Sequence, residues 1–391
     1  MEKSSKKIGY VMAYARNHNN YGTSLQGYAL LRKLRDMGYD PEIIQYKKHL
    51  RLWDKVYLTI QMLRCGAVGG KVRVVTERVN KLLHRGYAHD IDIRTRAVNA
   101  YKEEKLCPHF RTYDGYDALQ NGSQNYSRVI VGSDQVWTPL SLYSRFYNLL
   151  FVDDRVPKIA YASSFGVSEI PDFQKSETGG YLNRFSKIGV REKRGKEIVE
   201  ALSDRQAEVV ADPTMLLTRE EWQEEIGEKE TEANDPYIFC YFLGRNEECR
   251  RAALRLKEET GCRIVTIRHM DEYVARDERF GDEAPYAVDP NGFVRLISQA
   301  AYVCTDSFHC TVFSILFHRK FMTFYRFRKG KNSRNSRIDS LLGLLGLGDR
   351  LYGGAIEAMR TDIDYDSVDR KLTTLRENSL QFLQNSLKQE P

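Results

Sequence analysis

The sequence predicts an α/β protein of two domains facing a cleft, on three observations. The chain has 391 residues, beyond the ~250–300 at which a single hydrophobic core usually stops growing. Its opening reads strand, helix, strand, which implies a parallel sheet. A polar stretch, Gly227-Glu-Lys-Glu-Thr-Glu-Ala-Asn-Asp-Pro236, then interrupts the alternation before it restarts. These readings divide the chain into an N-terminal domain over 1–226, a C-terminal domain over 237–360 and a terminal helix over 366–388.

The first strand is predicted at Ile8–Ala13 and the first helix at Gly22–Met37. Leu30, Leu31, Leu34 and Met37 fall at helical spacing there, and Gly38 supplies the stop. Pro41–Gln45 completes the strand–helix–strand unit, and further strands are expected at Arg128–Val131, Lys158–Ala162, Lys187–Arg191 and Ala207–Val210. After the linker come strand Tyr237–Leu243, helix Glu247–Thr260 and strand Arg263–Ile267. Helix Asn291–Ala300, strand Tyr302–Cys304, helix Ser307–Phe317 and strand Phe321–Tyr325 follow. The last helix, Asp366 to Lys388, carries Val368, Leu372, Leu375, Leu383 and Leu387 on one face.

An apolar share of 42% and a charged share of 29% are ordinary globular values and exclude a disordered or fibrous chain. No apolar run approaches the ~18–20 residues that cross a bilayer, and the apolar stretch after the basic start is too short for a secretory signal. A cytoplasmic protein is therefore expected, with a peripheral position at the inner face of the membrane left open. The seven cysteines form no Cys-x-x-Cys pair and have no ligand spacing with the eight histidines, so no metal site is expected. The net charge of +7 favours anionic partners, but acids and bases are mixed along most of the chain, and no nucleic-acid module is recognisable. One segment stands apart. Residues 47–85 hold ten Lys or Arg against Asp54 and Glu77, interleaved with Leu50, Trp53, Val56, Tyr57, Ile60 and Leu63. It reads as a basic helical insertion, extending to about residue 105, either packed with its charges in water or resting on an anionic membrane surface.

In open α/β sheets, ligands bind beyond the carboxyl ends of the strands. Four such positions carry unusual chemistry. Asn17-His-Asn-Asn-Tyr-Gly22 precedes the first helix, where a glycine lets main-chain N–H groups face an anion. It is not the Gly-x-Gly-x-x-Gly fingerprint, so a dinucleotide site is disfavoured. Val131-Gly-Ser-Asp-Gln-Val-Trp137 places a hydroxyl, a carboxylate, an amide and an indole on one turn, groups suited to sugar hydroxyls and ring faces. A turn beside a buried tryptophan accounts for them equally well. Ser163, in Ala162-Ser-Ser-Phe-Gly166, and Arg191 follow two more strands; Arg191 either enters the cleft or pairs with an acid such as Glu192. Thr305-Asp-Ser-Phe-His-Cys-Thr311 is the sharpest signal. Asp306 or Ser307 can cap the next helix and put His309 in its first turn, where free N–H groups favour phosphate and an imidazole can move a proton. Downstream, Arg326, Lys329, Lys331 and Arg337 read as an anion clamp or as a solvated loop.

Taken together these residues resemble the polysaccharide pyruvyl transferase family. The carrying motifs are Asn19-Asn-Tyr-Gly-Thr-Ser-Leu-Gln26, Gly132-Ser-Asp-Gln-Val-Trp137, Tyr161-Ala-Ser-Ser-Phe-Gly166, Val190-Arg-Glu192, Ala211-Asp-Pro213, Asp306-Ser-Phe-His309 and Asn335-Ser-Arg-Ile338. The resemblance implies a GT-B-like pair of Rossmann-like domains without a nicotinamide or other cofactor. It implies transfer of pyruvate from phosphoenolpyruvate to a sugar of a surface polysaccharide or its lipid-linked precursor, forming a ketal. Carried over by motif, His309 and Arg191 contact the donor, with Asp306, Ser307, Arg326, Lys329, Lys331 and Arg337 around its phosphate and carboxylate. On the acceptor side stand Asn20, Tyr21, Gly22, Ser133, Asp134, Gln135, Trp137 and Ser163. Two positions depart from the pattern: Cys310 stands where glycine is expected and Thr138 where asparagine is expected after the tryptophan. The competing readings are a nucleotide-sugar glycosyltransferase on the same fold and a non-catalytic scaffold docked on membrane through residues 47–85.

Overall fold

The computed structural model describes residues 6–17, 19–65, 76–77, 79–227, 235–269, 272–326 and 335–388. Lys329 and Lys331, most of the expected linker and part of the basic segment lie outside them.

Two parallel sheets organise the described chain. The first contains β1 (Lys7–Val11), β2 (Asp40–Lys47), β3 (Phe110–Asp114), β4 (Arg128–Val131), β5 (Lys158–Ser163), β6 (Lys187–Val190) and β7 (Ala207–Val209), in the order β3-β2-β1-β4-β5-β6-β7. The second contains β8 (Tyr237–Tyr241), β9 (Arg263–Thr266), β10 (Tyr302–Thr305) and β11 (Lys320–Thr323), in the order β11-β10-β8-β9. The central strands are almost wholly apolar, as parallel strands covered on both faces must be. The expected fold class, two Rossmann-like α/β units in a GT-B-like arrangement, is the one observed.

The covering helices are α1 (Tyr21–Asp36), α2 (Leu52–Arg64), α3 (Arg85–Lys105), α4 (Tyr116–Ser123), α5 (Asp172–Leu182) and α6 (Lys193–Leu202), then α7 (Arg219–Ile226). The second sheet is covered by α8 (Glu247–Thr260), α9 (Pro290–Ser298), α10 (Phe308–Leu316) and α11 (Ser336–Leu345). Asn20 caps α1 by accepting from the Thr23 N–H, and Gly38 leaves the helix with a positive φ of 82°. Every residue of α10 is buried, which its all-round apolar sequence requires. The terminal helix α12 (Tyr365–Lys388) returns to the first sheet, where Phe382 fills the space left by Gly189 and Ser379 Oγ accepts from the Ala211 N–H at 2.8 Å.

The units are clasped by side chains as well as by α12. Tyr21 stacks on Phe293 with centroids 4.6 Å apart and donates to the Val288 carbonyl at 3.0 Å. Arg94 of α3, buried, donates to the carbonyls of Arg268, Pro285 and Tyr286. In each sheet the strand order switches sides beside its first strand, between β1 and β4 and between β8 and β10. Ligand crevices form outside such points, and the loops that leave them meet in the cleft.

Candidate active site

Three strand ends and three helix starts deliver one buried cluster of charge. Arg191, directly after β6, is 2% exposed and is held between two carboxylates. It donates to Asp212 Oδ2 at 2.7 Å and to Asp134 Oδ1 at 3.2 Å. Across the cleft, His309 in the first turn of α10 places Nε2 3.6 Å from the same Asp212 oxygen. Asp212 is fixed from behind by Thr214, whose N–H and Oγ1 donate to its other oxygen at 3.0 and 2.7 Å. Thr23 in the first turn of α1 donates to Asp134 at 3.1 Å. Arg337 of α11 approaches Asp134 at 3.7 Å.

The two guanidinium groups share an aromatic floor. Arg191 and Arg337 lie 4.9 and 5.7 Å from the centroid of Phe308, within cation–π range. Burial opposes ionisation of Asp134, yet Arg191, then Arg337 and His309, bring its carboxyl down to about 2. Burial opposes ionisation of Asp212 too, but His309 and then Arg191 hold it well below the usual carboxylate range. Arg337 is pushed down to about 10, first by burial and then by the neighbouring Arg191. Its Nε has no hydrogen-bond partner among the described residues, and neither does Arg191 Nε. The cluster thus leaves one N–H of each guanidinium free to meet a further acceptor.

Two backbone features make room for it. A β-carbon on Gly132 would meet the Tyr161 carbonyl oxygen at 1.9 Å, so only glycine fits where β4 turns toward Asp134. Asp134 itself adopts a positive φ of 78°, uncommon for a residue with a side chain and typical of constrained sites.

Of the residues expected from sequence, His309, Arg191, Asp134, Gly22 and Arg337 are brought together. Ser307 caps α10 by accepting from the Cys310 N–H, and buried Cys310 fits beneath that cap. Asn20 caps α1 and lines the cavity beside Asp134. Gln135 packs against Gly166, and Arg326 lies beside Gly244. Ser133, fully buried, donates to the Ala162 carbonyl and to Asp212 and so supports the cluster from below.

Several expected roles are corrected. Trp137 offers no ring face to a sugar: it is buried among Phe165, Tyr181 and Phe185 and donates to the Tyr147 carbonyl. Tyr21 is spent on the clasp to Phe293 and Val288. Ser163 is buried and donates to the Val131 carbonyl, within the sheet. Asp306 does not face the donor side, because its two oxygens accept from the N–H groups of Leu243 and Gly244 at 2.6 and 2.8 Å. Arg191 pairs with Asp212 and Asp134, whereas Glu192 accepts from Ser164 Oγ at 2.6 Å. Sequence reasoning missed Asp212, Thr23 and Phe308 as site residues. The signal for Asp212 was its place before Pro213 directly beyond a strand.

The profile of the family described as "Polysaccharide pyruvyl transferase" matches residues 20–326. The chain belongs to the polysaccharide pyruvyl transferase family. Every cluster residue except Arg337 lies within the matched span, and membership makes the protein a transferase of polysaccharide biosynthesis. No curated protein matches the chain. Among solved structures it is similar to UDP-GlcNAc 2-epimerase from Neisseria meningitidis bound to UDP-GlcNAc, with 9% identity, coverage of 96% of this chain and 100% of that one, and a TM-score of 0.46. Arabidopsis thaliana UGT89C1 complexed with UDP-L-rhamnose gives 8% identity, coverage of 97% and 98%, and a TM-score of 0.48. MurG of Acinetobacter baumannii gives 10%, coverage of 97% and 94%, and 0.44. No helix among the described residues is long and apolar enough to cross a membrane.

Proposed function

We propose that the protein transfers pyruvate from phosphoenolpyruvate to a saccharide, forming a ketal, in the cleft around Asp212. The observation that carries this reading is the buried pair Arg191 and Arg337 on Phe308, with Nε of each lacking a hydrogen-bond partner among the described residues. Phosphoenolpyruvate concentrates a phosphate and a carboxylate on three carbons, and guanidinium forks match both. Arg337 takes the donor anion, while Arg191, locked by two carboxylates, fixes the cluster and faces the donor through its remaining N–H. The first turn of α10 supplies the positive end of a helix dipole to phosphate.

The chemistry balances with one proton relay. The donor methylene carbon gains a proton, giving cationic character to the carbon that bears the enol oxygen. A sugar hydroxyl adds there and loses its proton. The carbon–oxygen bond to phosphate then breaks, a second hydroxyl closes the ketal, and its proton leaves with the phosphate. His309 and the Asp212 carboxylate, with Nε2 and Oδ2 3.6 Å apart, form the titratable pair assigned to pass these protons.

The reading extends to a lipid-linked acceptor and to peripheral contact with an anionic membrane through residues 47–85. Helix α2 supports it: Gln61 is the one buried residue, while Leu52, Trp53, Val56, Ile60 and Leu63 are exposed between Arg51, Lys55 and Arg64. Apolar and aromatic groups set among cations match the chemistry of an anionic lipid interface. The donor assignment is tested by thermal shift, comparing phosphoenolpyruvate with UDP- and GDP-sugars. Stabilisation by phosphoenolpyruvate alone is expected; stabilisation by the nucleotide sugars alone overturns the assignment.

A further inference from the structure

Two cavities lie beside the charged cluster on either side of Tyr14 and Lys102. The inner one, about 290 Å³, is walled by Asn20, Thr23, Asp134, Tyr147, Tyr14 and Lys102. The outer one, about 570 Å³, shares Tyr14 and Lys102 and continues past Gln45, Asn99, Glu103 and Phe110. Together they fall in the ~300–1,000 Å³ range of pockets that enclose a sizeable organic ligand. A three-carbon phosphate would fill a small part of that space, and neither Arg191 nor Arg337, to which the proposed function gives the donor, lines either cavity.

The shared wall is tied to the loop after β1 by ring contacts and hydrogen bonds. The Tyr14 ring meets Phe110 edge to face at 4.9 Å, with the Lys102 ammonium 5.6 Å from its centroid. Lys102 is buried and donates to the carbonyls of Ala15 and Arg16 at 2.9 and 3.1 Å, and Asn99 donates to Asn17 Oδ1 at 3.2 Å. Helix α3 therefore pins the loop after β1 and sets Tyr14 between the two chambers. Beyond that ring the outer wall offers Gln45, Asn99 and Glu103, amide and carboxylate groups that satisfy hydroxyls in pairs. Aromatic faces for ring C–H groups and amides for hydroxyls are what a saccharide requires, and Arg16 and Lys47 complete the same wall.

We infer that the outer chamber is a second saccharide subsite, which binds the sugar next to the one that reacts in the inner chamber. The protein then reads an oligosaccharide of at least two units, and Tyr14 separates the two rings. This rests on the proposed function for the identity of the reacting unit, but the subsite is defined by binding alone.

The test uses the full chain and a set of trisaccharides of gluco, galacto and manno configuration, with and without N-acetyl groups, beside their constituent monosaccharides. Binding is read by saturation-transfer difference NMR without donor. At least one trisaccharide is expected to bind tenfold or more tightly than its monosaccharide. Gln45→Trp, which fills the outer chamber, and Asn99→Ala, which removes an amide from its wall, are each expected to abolish that ratio. The proposal is overturned where no trisaccharide gains over its monosaccharide, or where the gain survives both substitutions. Thermal shift with phosphoenolpyruvate on the same samples separates the two ideas. A Gln45-dependent trisaccharide gain without a response to phosphoenolpyruvate sinks the donor assignment and leaves the subsite standing. A response without the gain does the reverse.

Discussion

Gly22 and His309 sit against one another across the cleft: a β-carbon on residue 22 would lie 2.0 Å from imidazole Nδ1. The first turn of α1 is therefore shaped to receive the first turn of α10, and the ring is positioned from both sides, by Gly22 at Nδ1 and by Asp212 at Nε2. Gly22→Ala displaces the imidazole from Asp212. Turnover is expected to fall ~100-fold, the scale on which a misplacement of about an ångström acts. Steady-state kinetics beside a circular-dichroism melt check this, and the fold should persist.

Asp212 joins the units electrostatically, since its Oδ2 faces both Arg191 and His309. Asp212→Asn keeps the shape and removes the charge, leaving Arg191 under-compensated inside the protein. Breaking a buried pair from one side costs about 3–5 kcal/mol. Urea denaturation is expected to show a loss of that order, together with loss of turnover.

The depressed carboxyl of Asp134 links stability to acid. Its folded value of about 2 lies below the model-compound value of 3.8, so its contribution is complete above about pH 4. It is lost as pH falls from 4 toward 2, because the unfolded chain takes up the proton first. The shift corresponds to about 2 kcal/mol. In acid titrations of stability, Asp134→Asn should flatten that portion of the profile relative to the parent.

Trp53 gives a reporter for the membrane face. It is 81% exposed, whereas Trp137 and Trp222, the other two tryptophans, are 3% and 0% exposed. Vesicles of phosphatidylcholine with phosphatidylglycerol should shift the emission to the blue and carry the chain up in flotation. Pure phosphatidylcholine should do neither, and Trp53→Glu with Leu63→Glu should abolish both effects. Equal flotation on neutral vesicles, or none on anionic ones, counts against the contact. A concentration-dependent dimer that Trp53→Glu disperses would assign the face to a second copy of the chain.

Much of the fold was legible because parallel strands covered on both faces read as unbroken apolar runs. Arg128–Val131 and Glu247–Thr260 were expected with the bounds observed. Strand β3 escaped because it pairs only with β2 at the sheet edge, and its exposed Arg111, Thr112 and Asp114 break the apolar signal. At the site, the strand-to-helix junction at His309 was readable, since a cap followed by a titratable side chain announces itself locally. The role of Asp212 was not, because it arises only when β7 and α10, about a hundred residues apart, meet in space. Trp137 was ambiguous in the sequence. An aromatic beside polar groups fitted a binding face and a buried core residue equally well, and packing against Phe165, Tyr181 and Phe185 decides for the core.

The most direct measurement is phosphate release from phosphoenolpyruvate in the presence of a saccharide acceptor, for the parent, Arg337→Ala and His309→Ala. The parent should release phosphate only when acceptor is present. Arg337→Ala should raise the donor KM by ~30-fold or more, the low end of losing a desolvated charge contact, and His309→Ala should lower kcat with less effect on KM. Near-parental kinetics in both variants would contradict the assignment of the donor to this cluster.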